Sequence, residues 1–156
     1  FIIRWPKQVQ AGATSGQLVC FTDLMATFAD VLGAELPADA GPDSFSFLPA
    51  LISKSLSPSL TPIRTQIAMK PGSAALMTFR SGDWKLITGL GSGGFSKPNR
   101  IKPGPNDPQG QLYNLAEDLS ETTNLYEKHP EIVARLTAEL KKVVDNGRSR
   151  VAGGRR

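Results

Sequence analysis

Cysteine is nearly absent: Cys20 stands alone in 156 residues, which excludes an internal disulfide and a cysteine-built metal centre. Histidine is equally scarce, with His129 the single one, so no cluster of imidazoles can form. No stretch reaches the roughly 18 consecutive apolar residues of a helical membrane span. Charge is modest, with 18 basic against 14 acidic residues and a net +4, too mild an excess to argue for nucleic acid. The basic clusters are Lys141-Lys142 and the tail Arg148, Arg150, Arg155 and Arg156. Neither interleaves aromatic residues with its cations, as single-stranded RNA binding would want, and the tail over 148–156 is expected to be solvated and disordered.

The rest of the composition is ordinary for a globular protein, 40% hydrophobic and 21% charged. Gly (15) and Pro (12) are plentiful enough to predict long loops. The chain opens on Phe1-Ile2-Ile3 rather than Met and reads as a fragment whose first strand, Phe1 to Trp5, is stopped by Pro6. Gln17 to Phe21 reads as extended. Asp23 suits a helix N-cap, its carboxylate accepting a free first-turn amide. Leu24, Phe28, Val31 and Leu32 give that helix one apolar face, and Gly33 ends it. Residues 34–61 form a connector, with one helical turn around Phe47 to Ile52, and a composition shift near Ser53–Pro62 marks a boundary.

Beyond Ile63 the hydrophobic period becomes two. Over Ala74–Thr88, Ala75, Met77 and Phe79 alternate with Leu76, Thr78 and Arg80, Ser81-Gly82-Asp83 is a tight turn, and Trp84, Leu86 and Thr88 alternate with Lys85 and Ile87: a β-hairpin. Gly89 to Gly110 is a Gly- and Pro-rich surface loop without periodicity. Gln111 to Leu115 is a further strand. Pro130 starts an amphipathic helix whose stripe is Ile132, Val133, Leu136, Leu140, Val143 and Val144, ended by Gly147. The expected fold is therefore an α/β strand-and-helix piece over 1–60, then an α+β subdomain over 61–147: an antiparallel sheet of three or four strands with one C-terminal helix packed on it.

Three segments occur in an order that is similar to the C-terminal part of sulfatases, within the alkaline-phosphatase-like superfamily. They are FIIRWPKQV at the start, the hairpin residues Arg80, Gly82, Trp84, Lys85 and Leu86 (R-x-G-x-W-K-L), and Leu112-Tyr113-Asn114-Leu115 with Asp118, Glu121 and Asn124-Leu125 (LYNL-x-x-D-x-x-E-x-x-NL). Each has a structural explanation as well. Trp84 and Tyr113 serve as core or rim aromatics. Asp118 and Glu121 accept turn amides or pair with Arg80 and Lys85, and Asn124 serves as a turn or cap residue.

The resemblance implies a parent enzyme, a sulfuric ester hydrolase acting on aryl or carbohydrate sulfates, with a formylglycine nucleophile made from a C/S-x-P-x-R motif and a Ca2+ held by Asp and Asn oxygens. It implies an exported parent (periplasmic, secreted or lysosomal). Those parts are not found here. Cys20 is followed by Phe21, Thr22, Asp23 and Leu24, without the Pro at the second position or the Arg at the fourth, and reads as a buried structural thiol. Asp23, Asp30, Asp39 and Asp43 form no metal-type cluster. His129 reads as a helix-start residue. No catalytic residue and no metal ligand is therefore assigned within the chain. Where many relatives carry a His-His pair, this sequence reads Met69-Lys70-Pro71-Gly72-Ser73, which leaves Lys70 as the candidate for contacting an anionic substrate.

The reading is a sulfatase fragment, itself inactive, whose partner is the missing N-terminal catalytic portion and whose parent takes a sulfated small molecule or glycan, with no nucleic acid and no membrane. Alone, it is expected to self-associate. The alternatives are a non-catalytic glycan-binding or structural module, and a related phosphoryl or sulfuryl transferase.

Overall fold

The computed structural model describes residues 1–52, 61–70, 76–94 and 96–150, which form two compact units. The first holds residues 1–64 together with the segment from Arg148; the second is Thr65–Gly147.

In the first unit a short 3-10 turn, Phe21–Asp23, leads into helix α1, Leu24–Val31, and α2 is the single turn Leu48–Ile52. One expectation fails here. Residues 1–5 form no strand. Cys20 has the extended backbone read over Gln17 to Phe21, at φ −142° and ψ 171°, outside any strand. A strand exists only through a neighbour's ladder of hydrogen bonds, and no described residue offers one; Ile2 is 96% exposed. The apolar face read on α1 is present as a periodicity but is not covered by described residues. Phe28 and Leu32 are exposed, whereas Ala26 and Thr27 face inward.

The second unit is an antiparallel sheet in the order β1 (Gln66–Met69), β2 (Thr78–Ser81), β3 (Trp84–Ile87), β4 (Gln111–Asn114), followed by helix α3, Pro130–Asn146. The hairpin read from the period-two pattern is β2–β3, with Ser81 opposite Trp84 and Gly82 at φ 59° in the turn, a conformation glycine adopts without steric cost. Its expected beginning at Ala74 and Ala75 lies outside the described residues.

Register explains the core. Ala68, Phe79, Leu86 and Leu112 lie in one row across all four strands. Side chains alternate between faces at period two, so this row points to one side. There it meets Leu136 and Leu140 of α3, and the five large residues are buried together. Ile132, Val133 and Val143 pack at the rim, while Val144 at the end of the stripe is half exposed. Pro130 occupies the first turn of α3 and Gly147 follows its last residue, as the sequence predicts.

The 89–110 loop carries more order than its composition implies. Leu90 and Ile101 form an antiparallel bridge, and Ser92 and Gly93 donate their amides to the carbonyls of Pro98 and Asn99. Gly110 is needed for close approach: a Cβ there would meet the Tyr126 ring at 2.6 Å and the Ile87 carbonyl at 2.7 Å.

Candidate functional site

Asp23 is the centre of the first unit and not the cap read from the sequence, for its side chain accepts no amide of α1. It is fully buried. Its Oδ2 accepts the Cys20 amide at 2.8 Å, its Oδ1 accepts the Phe45 amide at 3.0 Å, and Arg64 Nη1 donates to both oxygens at 3.1 and 3.2 Å. The carboxylate reaches back to the residue before the 3-10 turn and across to Phe45, so one side chain ties together segments about twenty residues apart.

Arg64 is itself buried, with its guanidinium 4.8 Å from the centroid of the Phe45 ring. It also donates to the Asp43 carbonyl and to Ser149 Oγ. Asp43 Oδ1 accepts both the amide and the hydroxyl of Ser149 at 2.7 Å. Arg148 and Arg150 donate to the carbonyls of Pro37, Ala38 and Ala40. The basic tail is thus fixed as far as Arg150, and its last six residues lie outside the described ones. Backbone carbonyls left open by the 37–43 turns provide acceptors that the sequence alone does not reveal.

Cys20 is not an apolar buried thiol. Its Sγ accepts from Arg64 Nη1 at 2.6 Å and pairs with Thr22 Oγ1 at 2.8 Å, at intermediate exposure.

The calcium implied by the resemblance does not fit this donor set. Both Asp23 oxygens face a guanidinium and amides, and Asp43 Oδ1 is taken by Ser149. Among the described residues no group of three or more His, Cys, Asp or Glu is placed to hold a metal ion.

In the second unit the LYNL stretch and its acidic turn serve packing and pairing. Lys85 Nζ lies 2.5 and 2.7 Å from the Glu121 oxygens, and Glu121 holds a positive φ of 57° in the turn. Arg80 does not join the acids; its Nε donates to the Gly82 carbonyl. Asp118 accepts the Thr123 amide at 2.8 Å, and this bond, followed by that from the Thr122 amide, holds its carboxyl below the usual value. Tyr113 is pushed up by burial first, then by the charges of Glu121 and Asp118. Asn124 completes the outer edge of β4. Its Oδ1 accepts the amides of Leu112 and Tyr126, and its Nδ2 donates to the Gly110 carbonyl. His129 stands at the start of α3, its ring 5.4 Å from that of Trp84.

Lys70 directly follows β1 and is exposed, with no hydrogen bond or ion pair to any described residue. The five residues after it are not described.

No family model matches the chain. Curated relatives do. An N-acetylgalactosamine-6-O-sulfatase of Bacteroides thetaiotaomicron is 32% identical over 143 residues, 92% of this chain and 26% of the relative. An ulvan-active sulfatase of Formosa agariphila is 44% identical over 54 residues, 35% of this chain and 10% of the relative. The chain therefore spans about a quarter of the length of the first and less of the second. A solved 6S-sulfatase structure, from work on glycosaminoglycan metabolism by Bacteroides thetaiotaomicron, superposes with a TM-score of 0.69 at 31% identity, covering 91% of this chain and 28% of that one. A second structure, solved in complex with its substrate D-glucosamine-2-N,6-O-disulfate, superposes at 0.62 and 24% identity and speaks for the fold alone. Over most of its length, this chain matches the C-terminal part of sulfatases, and its four-stranded sheet with one helix is the fold of their C-terminal subdomain.

Proposed function

We propose that this chain is the C-terminal part of a sulfatase that hydrolyses a carbohydrate or aryl sulfate ester, and that its own task is to complete the fold and shape the substrate cleft. One observation carries the reading: the kinship runs through both units rather than through a single motif. The nucleophile and the Ca2+ ligands of such a hydrolysis are then assigned to the portion preceding this chain, since the carboxylates of the first unit are already engaged. Lys70 is the residue of this chain proposed to meet the anionic substrate, as an exposed ammonium without a partner among the described residues.

The same reading supplies an occupant for the apolar groove of the first unit. Ile2, Ile3, Trp5, Leu24, Phe28 and Val31 line a cavity of ≈ 330 Å³. The relatives extend well beyond the matched stretch, and the remainder of such a fold would cover these side chains.

The test has two parts. The 156-residue chain should release no sulfate from p-nitrophenyl sulfate; metal-dependent turnover above a blank would overturn this division of labour. In the gene, a C/S-x-P-x-R motif upstream of Phe1 is expected. Its absence from a complete reading frame would leave a non-catalytic glycan-binding or structural module instead.

A further inference from the structure

Resting on the carbohydrate-sulfatase reading, we propose that one end of the second unit's sheet is a docking surface for a sulfated polysaccharide, with Lys97, Arg100 and Lys102 as its contact residues. The strand register defines that end. Met69, Thr78, Ile87 and Gln111 form the last row of the sheet. From this row depart Lys70 after β1 and the 89–110 loop between β3 and β4. The opposite row is Gln66, Ser81, Trp84 and Asn114. The turns leaving it carry Asp83, Glu117 and Asp118. Charge therefore separates along the strands, with cations at one end and carboxylates at the other.

The loop is unusual in its charge. Between Thr88 and Asn106 the sequence holds three cations and no Asp or Glu. The first acid beyond, Asp107, is turned inward on its own backbone, its Oδ2 accepting the Gly104 amide at 2.8 Å. Lys97, Arg100 and Lys102 are all exposed, and their side chains make no hydrogen bond or ion pair with a described residue. Uncompensated like charges within six residues of one another in sequence repel each other and gain from a shared polyanion. A single exposed ion pair is weak, so the surface suits a repeating anion rather than one sulfate group.

The loop is also held in place. The Leu90–Ile101 bridge and the amides of Ser92 and Gly93 close the loop on itself. Gln111 Nε2 donates to the carbonyls of Gly89 and Gly91, both at 2.9 Å, and Gln111 Oε1 accepts from Tyr113 OH at 2.8 Å. A backbone fixed before binding loses less entropy when the ligand arrives.

Affinity of the full 156-residue chain for chondroitin sulfate, for its desulfated form and for duplex DNA tests this. Binding to the sulfated polymer is expected, weakening as salt rises, with little to the desulfated one. The triple variant Lys97→Ala/Arg100→Ala/Lys102→Ala should bind about tenfold more weakly or worse, while Lys128→Ala/Lys141→Ala/Lys142→Ala, which removes the same net charge, stays within about twofold. Circular dichroism of both variants should match the parent, since all six residues are exposed. No binding to chondroitin sulfate, equal loss in the control, or equally tight binding of duplex DNA would each overturn the proposal. A null result beside an upstream C/S-x-P-x-R motif would remove the surface and leave the sulfatase reading intact. The reverse pair of results would remove the sulfatase reading and leave the surface.

Discussion

Two carboxylates show how unequally a residue's role is written in its immediate neighbours. Asp23 reads from sequence as a cap because it precedes an apolar helix. The fold instead buries it against Arg64, 41 positions away, and a partner at that separation leaves no local signal. Removing one member of a buried ion pair strands the other charge in low dielectric, so Arg64→Met should cost about 3–5 kcal/mol in denaturant unfolding; a loss no larger than that of an exposed Lys→Met would show that Asp23 gains little from the pair. Asp118 is the opposite case. Its turn was legible from its spacing to Glu121 and Asn124, and its carboxylate binds the amides that follow it. Its folded pKa is depressed below the ordinary 3.8, so its stabilisation is fully present above that value and is lost as pH falls through the folded pKa. Acid unfolding followed below the ordinary value should thus flatten in Asp118→Asn relative to the parent, and an unchanged acid limb would deny the group that role.

Elements with strong periodicity were legible almost in full, because period two and period 3.6 are properties of the chain itself. The β2–β3 hairpin, β4 and α3 follow from alternation, from the Gly82 turn, and from Pro130 and Gly147 at the helix ends. What was not legible depends on a neighbour. Residues 1–5 have the apolar content of a strand but no ladder, and the 89–110 segment is the loop its composition predicts, while its pinning by Gln111 left no signal in the sequence. Packing of α3 gives the most direct test of the second unit. Leu136 is completely buried against Phe79, Leu86 and Leu112. Leu136→Ala should destabilise by about 2–5 kcal/mol, read from the urea midpoint at constant slope, and an unchanged midpoint would remove α3 from the core. Gly110→Ala probes β4 from its edge. The added methyl must displace both the Tyr126 ring and the Ile87 carbonyl, for a cost of about 1–3 kcal/mol on the same scale; a neutral result would mean that ring and backbone both move aside freely.

For the molecule as a whole, the two units differ in how far they satisfy themselves. The second encloses its large apolar side chains between one sheet face and one helix. The first is held mainly by polar bonds around Asp23, Arg64 and Asp43, while Phe1, Ile2, Phe28 and Leu32 remain exposed at 68%, 96%, 58% and 80%. Large contiguous apolar surface on a soluble chain marks an interface, and burying it returns about 25 cal/mol for each Å² removed from water. If the remainder of a sulfatase fold covers this face, the 156-residue chain in isolation must find another cover, and a second copy is the most available one. The chain should therefore associate as concentration rises, measured by sedimentation velocity, and Phe28→Asp should shift it towards monomer without changing the unfolding of the second unit. Hydrogen exchange adds an independent reading. In the monomeric variant the amides of Ile2 and Ile3 should exchange far faster than those of β2 and β3, because no ladder protects them. A concentration-independent monomer whose Ile2 and Ile3 amides are as protected as the hairpin would mean that the first unit is complete in itself and that its apolar face awaits no partner.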